Sequence, residues 1–203
     1  MIAALYVDPR GVYSGRPDVE CWGLPDRDAR EYAGPWPVVA HPPCARWSLM
    51  NAPAAARNPD RFGFGLDGGA FAAALASVRF WGGVLEHPAH SRAWAAHDLN
   101  PPVPGSGWTA ADLLGGWTCC VEQGHWGHVA RKATWLYAHG TNLPRLPWVR
   151  SAIVASKTHS GVTGAGRVFK RSMLDLVSSR KRAATPPAFA EILIAMARSV
   201  KPR

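Results

Sequence analysis

The stretch Pro35-Trp36-Pro37-Val38-Val39-Ala40-His41-Pro42-Pro43-Cys44-Ala45-Arg46-Trp47-Ser48 decides the fold. Pro37 to Ala40 is an apolar run of strand character, with two β-branched residues and no charge. Proline has no backbone N–H and cannot continue a ladder, so Pro42-Pro43 ends the strand. The rings stiffen the turn and hold the Cys44 thiol just beyond the sheet edge. Read alone, a cysteine after a loop proline pair is a packing residue, because free cysteine is among the most buried side chains.

Working outward, strands and helices alternate. Ile2 to Val7 reads as a buried strand ended by the turn Asp8-Pro9-Arg10-Gly11, and Val19 to Trp22 as a second. Asp26 to Ala33 reads as a short helix with acids in its first turn. Residues 45–69 read as a long loop. The spacing of Phe71, Leu75, Val78 and Phe80-Trp81 predicts a helix that Gly82-Gly83 terminates. Val84-Leu85 is a strand running directly into Glu86-His87-Pro88. Ser91 is placed to cap a short helix, and Thr109 to Asp112 has the spacing of a capping box. Trp117 to Glu122 and Thr134 to Ala138 read as strands. Thr185-Pro186-Pro187 opens a last helix, with Thr185 as cap and Ile192, Leu193, Met196 and Ala197 as its buried stripe.

The expectation is a single α/β domain over residues 1–203 with a mainly parallel sheet. In such sheets ligands sit at the carboxyl ends of strands. Cys44 and Glu86 both fall there.

Composition narrows the function. With 47% hydrophobic and 18% charged residues the chain is a folded protein. No apolar run approaches the roughly 20 residues of a membrane span, and the N-terminus lacks the pattern of a signal peptide. A cytoplasmic location is expected. Cys21, Cys44, Cys119 and Cys120 contain no CxxC, so the usual zinc spacing is absent and no metal is expected. The net charge of +9 suits a polyanion. Arg167, Lys170, Arg171, Arg180, Lys181 and Arg182 gather late, against the single acid Asp175.

Four motifs, in order, resemble the DNA cytosine C5-methyltransferase family. Pro42-Pro43-Cys44 is similar to its nucleophile motif, Pro-Pro-Cys after a short strand. Glu86-His87-Pro88 is similar to its Glu-Asn-Val motif. Trp126-Gly127-His128-Val129-Ala130-Arg131-Lys132-Ala133-Thr134 resembles its Tyr-Gly-x-Pro-Gln-x-Arg-x-Arg motif before a hydrophobic strand. Ala184-Thr185-Pro186-Pro187-Ala188-Phe189-Ala190 resembles its closing segment. At the N-terminus, Leu5 to Gly15 (LYVDPRGVYSG) occupies the place of the Gly-rich cofactor loop. Asp26 to Tyr32 occupies that of the second cofactor motif, with Leu24 where the family has a ribose-binding acid.

The resemblance implies an abbreviated Rossmann-like methyltransferase fold acting at C5 of cytosine in DNA. It implies Cys44 as nucleophile, with Glu86 and Arg131 as its catalytic partners. A thiolate added to C6 makes C5 enamine-like, and the covalent intermediate divides one hard step into two. A carboxyl group with a raised pKa would protonate N3, which is the role expected of Glu86. Arg131, then Lys132, are the candidate cations. His41, Pro43, His87 and His128 are candidate substrate contacts, and His41, His87, His90 or His128 would move the C5 proton. S-adenosylmethionine is the implied cofactor, with Asp8, Gly11, Gly15, Asp26 and Thr185 as its expected contacts. Each residue also has a bland reading: Glu86 as a turn cap, Arg131 and Lys132 as a solvated pair, each histidine as a packing residue.

Between the Arg131 motif and the closing segment only residues 140–181 remain, a reduced basic recognition segment. Short or relaxed sequence preference is expected, as in bacteriophage genome modification. Two alternatives stay open: a non-catalytic DNA-binding relative, and a pyrimidine-nucleotide-modifying enzyme.

Overall fold

In the computed structural model, which describes residues 1–48, 51–152, 158–162, 168–172 and 183–201, a seven-stranded mixed sheet runs through the molecule in the order β2-β1-β3-β4-β7-β6-β5. The strands are β1 (Ile2–Leu5), β2 (Val19–Trp22), β3 (Val38–Ala40), β4 (Gly83–Pro88), β5 (Thr109–Ala110), β6 (Trp117–Glu122) and β7 (Ala133–His139). A separate antiparallel pair, β8 (Thr158–Val162) and β9 (Val168–Ser172), lies within residues 140–181. Most of the basic run Arg167 to Arg182 falls outside the described residues.

Mainly parallel was the expectation, and only half the sheet obeys it. The β2-β1-β3-β4 half is parallel. The pairings β4-β7, β7-β6 and β6-β5 are antiparallel. The connection from β6 to β7, residues 123–132, holds only a single 3-10 turn, Gln123–Trp126. A link that short has no room for the helix a parallel crossover needs, so the chain doubles back.

The helices are α1 (Ala52–Arg57), α2 (Pro59–Phe62), α3 (Ala70–Trp81), α4 (Ala93–Ala96) and α5 (Pro187–Arg198). The first two lie in what reads from sequence as a loop. A 3-10 turn, Ala29–Glu31, capped by Asp28, replaces the helix expected from Asp26. The cap of α4 is Arg92, one residue later than Ser91, whose Oγ accepts from Ala93 N at 3.1 Å. Thr109-Ala110 is an edge strand instead of a helix cap, and Asp112 organises the turn after it by accepting from Leu114 N and Gly116 N. The cap of α5 is Pro186, one residue later than Thr185.

Strand side chains alternate between faces. Ala3, Leu5, Val38, Ala40 and Leu85 pack with Phe71, Leu75 and Val78 of α3. Ile2, Ala4, Val39 and Val84 pack with Phe189, Leu193, Ile194 and Ala197 of α5. Both faces are therefore covered, which is why the central strands read as unbroken apolar runs. β4 enters beside β3 at Gly83, where φ is +128° and a Cβ would stand 1.9 Å from the Val38 carbonyl oxygen. Only glycine fits there.

From β1 the chain steps outward to β2, then returns to β3 on the other side of β1. Strand order thus reverses between β1 and β3, and a crevice opens beyond their carboxyl ends.

Candidate active site

A cleft of about 980 Å³ occupies that crevice, in the size range of small-molecule sites. Its wall along β1 is Tyr6 to Asp8, then Gly11 to Tyr13. His41, Pro42, Pro43 and Cys44 come from the end of β3, and Glu86 and Pro88 from β4. Lys132 and the residues Ala183 to Thr185 close the far side.

The sequence explains the placement of each group. His41 N still donates to the Leu5 carbonyl at 3.0 Å, so the β1–β3 ladder runs one residue past β3 before the prolines stop it. Cys44 then opens a turn, its carbonyl accepting from Trp47 N at 3.0 Å and Ser48 N at 3.1 Å. β4 continues through Pro88, so the parity of the strand decides its polar residues. Glu86 shares the Val84 side and reaches the cleft. His87 shares the Leu85 side and is fully buried, its ring 5.2 Å from Phe71 and 6.2 Å from Trp94.

A hydrogen-bonded chain runs beneath the cleft. Tyr13 Oη lies 2.7 Å from His41 Nε2, and His41 Nδ1 lies 3.0 Å from Glu86 Oε2. The other carboxylate oxygen, Oε1, accepts from Gln123 Nε2 at 2.9 Å, and the same amide donates to Thr134 Oγ1 at 3.0 Å. Burial pushes the Tyr13 hydroxyl far above its ordinary pKa, and the Glu86 charge adds to that shift, so Tyr13 stays protonated. Its O–H is the donor that suits Nε2, leaving the Nδ1 proton to donate to Glu86.

Burial alone would raise the pKa of Glu86. The hydrogen bond from His41 and the charge of Lys132 outweigh it and hold the carboxyl below its ordinary value. The raised pKa expected of Glu86 is thereby reversed: in the free protein it is a carboxylate. Cys44 is accessible, yet the cleft walls crowd its sulfur. Burial first, and the Glu86 charge second, push the thiol pKa up, against a backbone hydrogen bond and Lys132. It rests as a thiol. Burial pulls the Lys132 pKa down, opposed by the charge of Glu86. The Lys132 backbone is left-handed, with φ +45°. Its Nζ donates to the carbonyls of Ala183 at 2.9 Å and Ala184 at 3.1 Å, fixing the segment before α5 against the cleft.

Of the residues singled out from sequence, the cleft gathers Cys44, Glu86, His41, Pro43, Lys132, Asp8, Gly11 and Thr185. Six stand elsewhere, among them His90, whose ring lies 5.4 Å from that of Trp135. Arg131 points out of the cleft toward Glu122, Nε to Oε2 4.0 Å, so Lys132 and not Arg131 is the cation beside Cys44. His87 lies in the core, where burial drops its pKa to about 4 and keeps it neutral. His128 orders its own loop, with Nδ1 accepting from Ala130 N at 3.0 Å. Gly15 is an exposed turn residue with φ +74°, and Asp26 is exposed outside the lining. Sequence reading missed Tyr13 and Gln123. Tyr13 hides in a loop read only for Asp8 and its glycines; Gln123 is signalled only by being a polar residue at the end of a buried strand.

The wall along β1 is built on a tight turn. Gly11 N closes a turn onto the Asp8 carbonyl at 2.8 Å, and a Cβ on Gly11 would meet that oxygen at 2.9 Å. The end of β2 adds no acid to the lining. Glu20 pairs with Arg27, Asp28 pairs with Arg30, and Leu24 is 69% exposed.

Comparison with protein-family models, with curated proteins and with solved structures finds no match.

Proposed function

We propose that the cleft is the active site of a DNA-modifying enzyme of the cytosine C5-methyltransferase type, built on an abbreviated Rossmann-like fold. One observation carries the reading. Cys44, Glu86 and Lys132, which belong to three separate motifs, converge on one cleft at the point where strand order reverses.

The chemistry follows from the charge states. Glu86 is a carboxylate and Cys44 a thiol, close enough that the Glu86 charge raises the thiol pKa. When a cytosine enters, the thiol proton passes through Glu86 to N3 of the base as sulfur bonds to C6. The ring is left neutral and C5 becomes nucleophilic. Once C5 carries the transferred group, it gives its own proton to solvent, the S–C6 bond breaks, and the N3 proton returns through Glu86 to the sulfur. Tyr13 and His41 hold Glu86 in the orientation this shuttle needs. Lys132 meets the base O2 or the adjoining phosphate, the role first expected of Arg131. S-adenosylmethionine is the cofactor class that Asp8, Gly11 and Thr185 would hold, and when bound it supplies an electrophilic methyl group. The base reaches Cys44 from single-stranded DNA or by leaving the duplex.

The test is a covalent trap. Bacteria expressing the protein are grown with 5-azacytosine nucleoside, and protein crosslinked to DNA is recovered and digested. A base adduct on the peptide containing Cys44 is expected. Crosslinks at the host's own enzymes without one at Cys44 would refute the reading.

A further inference from the structure

The segment after Cys44 carries a second feature that the chemistry above does not use. Arg46 and Arg61 place their guanidinium carbons 4.9 Å and 5.2 Å from the ring centre of Phe62. Arg92 stands 3.9 Å over the ring of Phe64. The scaffold beneath is hydrogen-bonded. Gly65 N donates to the Arg46 carbonyl at 3.1 Å, Arg92 N to the Trp47 carbonyl at 3.1 Å, and Asn51 Nδ2 to the Phe62 carbonyl at 2.6 Å. Trp47 anchors it through Nε1 to Asp67 Oδ2 at 2.8 Å.

What sets this cluster apart is the combination of a ring beneath each guanidinium and no carboxylate partner among the described residues. Arg16, Arg27, Arg30, Arg79 and Arg198 each meet a carboxylate. Among the described residues, Arg46, Arg61 and Arg92 meet none and rest on rings instead. A guanidinium stacked on one ring keeps its other face for a second ring and its N–H edge for phosphate oxygens. Cations interleaved with aromatic rings are how sequence-tolerant sites hold a single strand.

We infer that Arg46, Phe62, Arg61, Phe64 and Arg92 form a nucleic-acid platform. It holds the strand flanking the target base, and its stacked guanidiniums take phosphates on one edge and bases on the open face. This rests on the reading of the cleft as a cytosine site. Arg46 follows the nucleophile by two residues in the chain. The platform gives these five residues the strand-holding role that the sequence assigned to residues 140–181.

Fluorescence anisotropy with a labelled mixed-sequence single-stranded oligonucleotide, titrated at several salt concentrations, tests this. The variant R46Q/R61Q/R92Q should bind at least tenfold more weakly at 100 mM salt. Its slope of log K against log salt should fall by about 2, the value for three lost phosphate contacts. R27Q/R30Q/R198Q removes the same charge elsewhere and should leave the slope nearly unchanged. R46K/R61K/R92K should keep the slope but lose several-fold in affinity, because lysine does not stack as arginine does. Thermal melts confirm folding, and if the triple glutamine variant does not fold, R46Q and R92Q alone should each lower the slope by about 0.7. Equal effects from the two glutamine triples would overturn the platform and leave the cytosine site standing. Wild-type protein that binds no oligonucleotide at any salt would overturn both. Loss of binding to anionic lipid vesicles, with oligonucleotide binding intact, would make the cluster a membrane contact instead.

Discussion

His41 Nδ1 lies 3.0 Å from Glu86 Oε2, joining the ends of β3 and β4 across the floor of the cleft. Tyr13 fixes the other side of the imidazole and Gln123 the other carboxylate oxygen. The acid beside the nucleophile is held on both oxygens, by His41 and by Gln123.

That arrangement separates charge from geometry. Glu86→Gln keeps the shape and removes the proton carrier, so kcat should fall by about a hundredfold or more while the melting temperature changes little. Glu86→Ala should add about 1–3 kcal/mol of destabilisation, because it strands the buried Gln123 amide. Tyr13→Phe releases His41 and should lower kcat about tenfold with KM nearly unchanged. Equal loss in KM and no loss in kcat would place these residues in binding alone. Steady-state kinetics on an oligonucleotide substrate, with melts in parallel, decide it.

Lys132 and Arg131 give a sharp contrast. Lys132 lines the cleft and ties down Ala183 and Ala184, whereas Arg131 faces Glu122. Lys132→Gln should reduce kcat/KM by about ten- to a hundredfold, the scale of one charge-assisted hydrogen bond. Arg131→Gln should stay within a few-fold. The opposite order, read from the same kinetics, would restore the assignment made from the motif alone.

Stability should fall on the acid side. His87 is neutral in the fold, its pKa dropped to about 4 by burial. The unfolded chain therefore binds more protons than the native protein between about pH 6.5 and 4. Stability is lost as pH falls through that window, by on the order of 3 kcal/mol from this one residue. Burial also lowers the His97 pKa, which acts in the same direction. The depressed Glu86 carboxyl extends the loss below its ordinary pKa, because its stabilisation disappears as pH falls through the folded value. Urea unfolding at pH 7, 6, 5 and 4 should show this slope, and His87→Phe should flatten it between pH 6.5 and 4. An unchanged slope would mean that His87 is not the group responsible.

Gly83→Ala should be among the most damaging single methyl additions in the chain. The new Cβ would meet the Val38 carbonyl oxygen at 1.9 Å, on a backbone with φ +128°. A loss of about 4 kcal/mol or more is expected, measured as the shift in urea midpoint. Gly15→Ala, with nothing within 4 Å of its Cβ, should cost only the strain of its positive φ.

What could be read from sequence was whatever depends on local chemistry. The end of β3 at Ala40 and the apolar stripe of α5 follow from proline, periodicity and burial. Strand direction does not, because pairing partners are distant, so β6 and β7 read as strands without revealing that they reverse the sheet. His87 was misplaced through parity. A strand read as Val84-Leu85 leaves Glu86 and His87 in a turn, where both can face a ligand; a strand reaching Pro88 sends them to opposite faces. Lys132 displaced Arg131 through its left-handed backbone, which no residue pattern announces in a non-glycine. The platform around Phe62 escaped notice because α1 and α2 are too short to show a period.

Cys44 is the claim on which the rest depends. Total DNA from bacteria expressing the wild-type protein, and from a Cys44→Ala control, would be digested to nucleosides and compared by untargeted mass spectrometry. A new modified cytidine, present only with Cys44, is the expected result, and its mass identifies the transferred group. A modified nucleoside made equally well by Cys44→Ala would contradict a cysteine nucleophile. An unchanged profile from folded protein supplied with S-adenosylmethionine would contradict methyl transfer to DNA.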